Sequence, residues 1–88
     1  MSKNISYTTQ AICSSHNLTK DIILEMVSWG IANPAGRKWD KWVFSQTDYE
    51  RIGRATQFNR ELEINISGAA LVLQLLEELD KIRKRQCH

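Results

Sequence analysis

The chain has 88 residues, enough for one domain with a single small core. Its 42% hydrophobic and 25% charged residues belong to a folded globular protein and exclude a disordered or collagen-like chain. A net charge of +2 does not by itself imply a polyanion partner, because phosphate binding needs a concentrated basic field. Cys13 and Cys87 make no disulfide framework and read as reduced. Met1 to Ser6 lacks the apolar stretch of a signal peptide, and no segment is apolar for long enough to cross a bilayer, so the expected location is the cytoplasm, with no membrane partner.

In chain order, Thr8 is placed to cap a short first helix through about Cys13, with Tyr7 and Ile12 at staple positions. A turn is expected at Ser14-Ser15-His16-Asn17. Thr19 then caps a second helix whose apolar face carries Ile22, Ile23, Met26 and Val27, and Gly30 closes it. From Ile31 to Phe44 the pattern changes. Asn33-Pro34-Ala35-Gly36 is turn-forming, while Trp39, Trp42, Val43 and Phe44 favour extended structure, so a small hairpin or wing is expected.

Ser45-Gln46-Thr47-Asp48 is a capping box for a third helix through roughly Leu62, with Ile52, Ala55 and Leu62 on one side, Phe58 flanking them, and Arg54, Gln57 and Glu61 on the outer side. Asn65 to Gln86 reads as a long last helix. Its apolar residues cover an arc of roughly 200°, whereas a stripe facing one core spans a little over 100°. Val72, Leu75, Leu79 and Ile82 alternate in threes and fours like a coiled-coil seam, and a homodimer contact there is expected.

This order of elements is similar to that of the MerR-type winged helix-turn-helix. More closely, the run from Leu18 to Pro34 (LTKDIILEMVSWGIANP) and Trp42-Val43-Phe44 resemble the CbpM family of chaperone modulators. Arg54-Ala55, Glu61-Leu62, Ile64-Asn65, Gly68-Ala69-Ala70-Leu71 and Leu75-Leu76-Glu77-Glu78-Leu79 continue the match. The resemblance runs from Tyr7 to Ile82 and rests on the order and spacing of these motifs. It implies a mainly α, MerR-like winged helix-turn-helix with a small β-hairpin wing and a long C-terminal helix. It also implies binding to the J-domain of a DnaJ-like, curved-DNA-binding type of co-chaperone, with inhibition of that partner.

Aligned on Gly30-Ile31, the Arg-aromatic pair that DNA-binding MerR relatives carry on the second helix falls on Leu24 and Glu25. An alkyl group cannot read a guanine edge and a carboxylate repels phosphate, so specific DNA binding is not expected. Arg37, Lys38 and Lys41, with Trp39 and Trp42, nevertheless form the kind of basic, aromatic cluster a DNA-contacting wing uses, and an exposed hairpin tip has the same composition. Trp39 is the candidate exposed contact; Trp42 and Phe44 read as core anchors on one strand face.

Glu61, Glu63, Glu77, Glu78 and Asp80 form an acidic set around the end of the third helix and on the fourth. Solvated helix surface accounts for them, and so does a surface for the basic helix that J-domains present. Cys13 and His16 have a metal-like spacing, but Cys87-His88 lacks the gap of a ligand pair and zinc is not expected. No glycine-rich phosphate loop or nucleophile-base arrangement is recognisable, so neither a cofactor nor catalysis is expected. The leading reading is a chaperone modulator; a MerR-like DNA-binding regulator and a small dimeric adaptor are the alternatives.

Overall fold

The computed structural model describes residues 5–86. Strand β1 (Ser6–Thr8) leads into α1 (Thr9–His16) and α2 (Lys20–Ser28), then a single 3-10 turn (Trp39–Lys41), β2 (Val43–Ser45), α3 (Gln46–Glu61) and α4 (Ile66–Gln86). Thr8 caps α1, its side chain accepting from the Ala11 amide at 3.0 Å. The helix continues past Cys13 to His16, so Ser14, Ser15 and His16 are helical rather than in a turn. Asn17 stops it with φ 56°, and the Leu18 amide returns to the Cys13 carbonyl at 2.9 Å.

Thr19 caps α2 through the Ile22 amide at 3.3 Å. At its other end the Gly30 amide donates to Val27 O and the Ile31 amide to Met26 O, both at 3.0 Å, with Gly30 at φ 80°. This is a Schellman closure, which needs a residue without a Cβ penalty at the left-handed position. It directs Ile31 into the core, where the residue is fully buried.

The region expected as a hairpin is built differently. β2 pairs antiparallel with β1 in the register Ser6–Ser45, Tyr7–Phe44 and Thr8–Val43, so the strand partner comes from ahead of α1. The intervening loop closes through one bridge, with Ala35 and Val43 exchanging amide bonds at 3.0 and 2.9 Å. Gly36, at φ 119°, lets the chain pass the Lys41 carbonyl, which an added Cβ would meet at 3.0 Å. β1 carries polar Ser6 and Thr8 on either side of Tyr7, a sequence too short and polar to read as a strand before its partner is known.

Ser45 and Asp48 form the expected capping box of α3, with the Asp48 amide donating to Ser45 Oγ at 3.1 Å and the Ser45 amide to Asp48 Oδ2 at 3.2 Å. The same carboxylate accepts from the Asn33 amide at 3.2 Å and so fastens the loop to the helix start. Ile52 and Ala55 are fully buried as expected, whereas Leu62 is solvent-exposed because the helix ends there and Glu63 takes φ 54°. The Asn65 side chain accepts from the Gly68 amide at 2.8 Å at the start of α4. Ile12, Ile23, Met26, Ile31, Phe44, Ile52, Ala69 and Leu73 fill one core between the four helices and the sheet.

Candidate docking surfaces

Tertiary packing draws the wing toward the helix-turn-helix. Thr9 Oγ1 donates to the Trp39 carbonyl at 2.6 Å, and Lys20 Nζ lies 4.5 Å from the centre of the Trp39 ring. Half-exposed Trp39 is therefore capped by a cation, and Lys20 joins the segment that carries exposed Arg37, Lys38 and Lys41. Sequence reading found those three and missed Lys20, which no spacing rule links to the wing. Exposed Asp21, Glu25 and Asp40 occupy the same elements, and Leu24 is half-buried. Trp42 meets Phe44 edge-on at 6.0 Å, with Phe44 fully buried, as anchoring from one strand face requires.

On α4, Ala69 and Leu73 face the core and are fully buried, and Ile66 is buried beside them. Leu75, Leu79 and Ile82 are 58%, 42% and 49% exposed, with Val72 half-buried beside them. The seam residues thus lie outside the single-chain core, and Leu71 and Leu76 extend the exposed apolar surface on either side.

The acidic set is divided. Glu61 and Glu63 lie exposed at the α3–α4 junction, with Gln57 donating to Glu61 at 3.3 Å. Glu77, Glu78 and Asp80 begin fourteen residues beyond Glu63, some 15–20 Å along α4. Glu78 pairs with Lys81 at 3.6 Å, and Glu77 pairs with Arg51. The Arg51 guanidinium also donates to the Ile31 carbonyl at 2.7 Å and the Gly30 carbonyl at 3.2 Å. One side chain therefore ties the end of α2 to α4. The sequence gives no local signal for this tie, because its partners lie 20 to 26 positions away.

Burial pushes the Cys13 thiol above its ordinary value, and the residue packs against the core. The His16 ring packs tilted against Tyr49, with centroids 4.6 Å apart and the planes at 43°, and lies against Gly53, within α1 rather than in a turn. No group of three metal-binding side chains forms among the described residues, and the Cys87-His88 pair lies outside them. No helix among the described residues is long and apolar enough to cross a membrane.

Residues 7–86 match the MerR HTH family regulatory protein family. The chain is 35% identical over 74 residues to a chaperone modulatory protein CbpM of Pseudomonas entomophila, covering 84% of this chain and 73% of that one. It is 34% identical to the CbpM of a Pseudomonas putida strain with the same coverage. Against a Coxiella burnetii CbpM it is 35% identical over 69 residues, 78% of this chain and 65% of the other. The names of these relatives describe modulation of chaperones, and the fold carries the MerR helix-turn-helix with a two-stranded antiparallel sheet. The chain belongs to the CbpM family of chaperone modulatory proteins, built on the MerR helix-turn-helix.

Proposed function

We propose that this chain acts in the cytoplasm by docking on the J-domain of a DnaJ-like co-chaperone of the curved-DNA-binding type, covering the surface Hsp70 needs and so lowering co-chaperone activity. The observation that carries the reading is the family match across most of the chain to proteins named as chaperone modulators. The second helix supports it, because Leu24 and Glu25 stand where a DNA reader needs a phosphate-compatible donor. The acidic residues Glu61, Glu63, Glu77, Glu78 and Asp80 are the proposed contacts for a basic J-domain helix. Within that set, Glu78 and Asp80 are the exposed acids of the α4 group, while Arg51 holds Glu77. The chain works without a cofactor, performs no reaction, and pairs with a second copy through Val72, Leu75, Leu79 and Ile82.

The test is to titrate the full chain into an ATPase assay containing Hsp70 and a purified curved-DNA-binding type J-domain co-chaperone. Stimulation should fall saturably, and Glu78→Lys with Asp80→Lys should weaken the inhibition at least tenfold. Unchanged stimulation at saturating concentration overturns the proposal. Lys20 beside Trp39 gives the DNA-binding alternative its one structural support, adding a fourth cation to Arg37, Lys38 and Lys41.

A further inference from the structure

We infer that the notch between the end of α2 and the overhanging half of α4 is a docking site for a basic amphipathic helix, with Trp29 as its apolar anchor and Glu25 and Asp80 as the flanking acids. The inference rests on the reading that a J-domain is the partner, takes the basic helix of that domain as the occupant, and adds contact residues on α2.

Trp29 caps the end of α2, where its amide donates to the Glu25 carbonyl at 3.1 Å, and the residue is 55% exposed. It joins neither the core nor, among the described residues, any aromatic or cation contact. Its neighbour Gly30 is tied to α4, because Arg51 donates to the Gly30 carbonyl at 3.2 Å through one nitrogen and pairs with Glu77 through another. The end of α2 that carries Trp29 is thereby set at the level of Glu77. Glu77 and Asp80 follow buried Leu73 by four and seven positions, so both lie on the side of α4 that faces the core. Glu77 is half-buried while Asp80 is exposed, because the helix has run beyond the body of the domain there. Asp80 therefore overhangs the end of α2, about 4.5 Å further along the axis than Glu77.

Exposed Glu25 stands one turn before Trp29 on α2. Among the described residues neither Glu25 nor Asp80 pairs with a cation, and Arg51 is already engaged by Glu77. Lys84, one turn beyond Asp80 on the same side of α4, bounds the notch at its outer end. An indole set between two unpaired carboxylates suits a helix that carries an apolar residue flanked by Lys or Arg at three- or four-residue spacing. The same carboxylates repel a phosphate backbone. Tryptophan is among the residues that most often dominate the energy of an interface, and the flanking acids steer approach and fix the direction of the bound helix.

The test compares full-length wild type with Trp29→Ala, Glu25→Lys and the wing variant Trp39→Ala as inhibitors of the ATPase that a purified curved-DNA-binding type co-chaperone stimulates in Hsp70. Trp29→Ala and Glu25→Lys should each raise the concentration for half-inhibition at least about tenfold, the scale of an interface anchor. Trp39→Ala, which removes the exposed indole of the wing, should leave it unchanged. Circular dichroism checks that each variant is folded, and Glu25→Lys, at an exposed helix position, carries the test if Trp29→Ala is not. Wild-type inhibition retained by the folded Trp29→Ala and Glu25→Lys variants overturns the inference and leaves the J-domain reading intact. An equal loss in Trp29→Ala and Trp39→Ala overturns the choice of the notch. Weaker self-association of Trp29→Ala with inhibition unchanged assigns the notch to a second copy and overturns the inference as well. A wild-type chain that does not inhibit overturns the J-domain reading and this inference with it.

Discussion

Arg51 on α3 pairs with Glu77 on α4 while its other guanidinium nitrogens hold the carbonyls of Gly30 and Ile31, so the end of the second helix and the middle of the last are fastened by one side chain. Arg51 is one-quarter exposed and Glu77 about one-third, which places the pair between a screened surface bridge and a buried one. Arg51→Met should cost about 1–3 kcal/mol in urea denaturation, most of it from the two carbonyls that lose a charged donor. Glu77→Gln should cost no more than about 1 kcal/mol, because the carbonyl contacts remain. Equal losses in the two variants would contradict this division.

Asp48 has two duties, capping α3 through the Ser45 amide and holding the Asn33 amide of the wing loop. Asp48→Ala should therefore cost about 2 kcal/mol, at the upper end for a lost cap. Ser45→Ala, which leaves the Asn33 contact in place, should cost about 1 kcal/mol. Thermal melts that rank the two the other way would show that the loop contact contributes nothing.

Leu73 and Leu75 sit two positions apart on α4, one fully buried and one 58% exposed. Leu73→Ala should lose about 2–5 kcal/mol through lost burial and the cavity left behind. Leu75→Ala, measured at concentrations where the chain is monomeric, should stay within about 0.5 kcal/mol of the parent. A loss of several kcal/mol for Leu75 would place it in the single-chain core.

Binding to duplex DNA should fall no tighter than roughly 10⁻⁴ to 10⁻⁶ M at physiological salt, without sequence preference. Lys20→Ala and Lys41→Ala should each weaken it to the same extent on every sequence and lower the salt slope by about one. Sequence-selective, sub-micromolar binding in a mobility-shift titration would restore the regulator reading.

Because burial raises the Cys13 thiol, the folded state retains its proton to higher pH than the unfolded chain does. The contribution is fully present below the ordinary thiol value and is lost as pH rises through the raised one. Denaturant midpoints should thus decline more steeply on the alkaline side in the parent than in Cys13→Ala. Parallel declines would mean that the thiol ionises as freely in the fold as in the unfolded chain.

Local chemistry decided the helix starts. Thr8, Thr19 and the Ser45–Asp48 box cap the helices that follow them, and Gly30 closes α2, because each acts on amides or carbonyls only a few residues away. The width of the apolar arc on α4 was also readable, since helical periodicity fixes which residues share a side. Folding decided how that arc divides. Ala69 and Leu73 enter the core, while Leu75, Leu79 and Ile82 are left outside it.

Partner choice between distant segments had no local signature. β2 was legible as an extended segment, but its pairing with Ser6–Thr8, across an intervening pair of helices, was not. Lys20 over Trp39 and Arg51 against Gly30, Ile31 and Glu77 are likewise contacts between elements that only the packed core brings within reach. The sequence alone determined the caps, the helix periodicity and the family, whose motifs are short runs along the chain. The tertiary structure decided which charges are already engaged and which apolar residues remain uncovered, because both depend on the relative placement of elements joined by a common core.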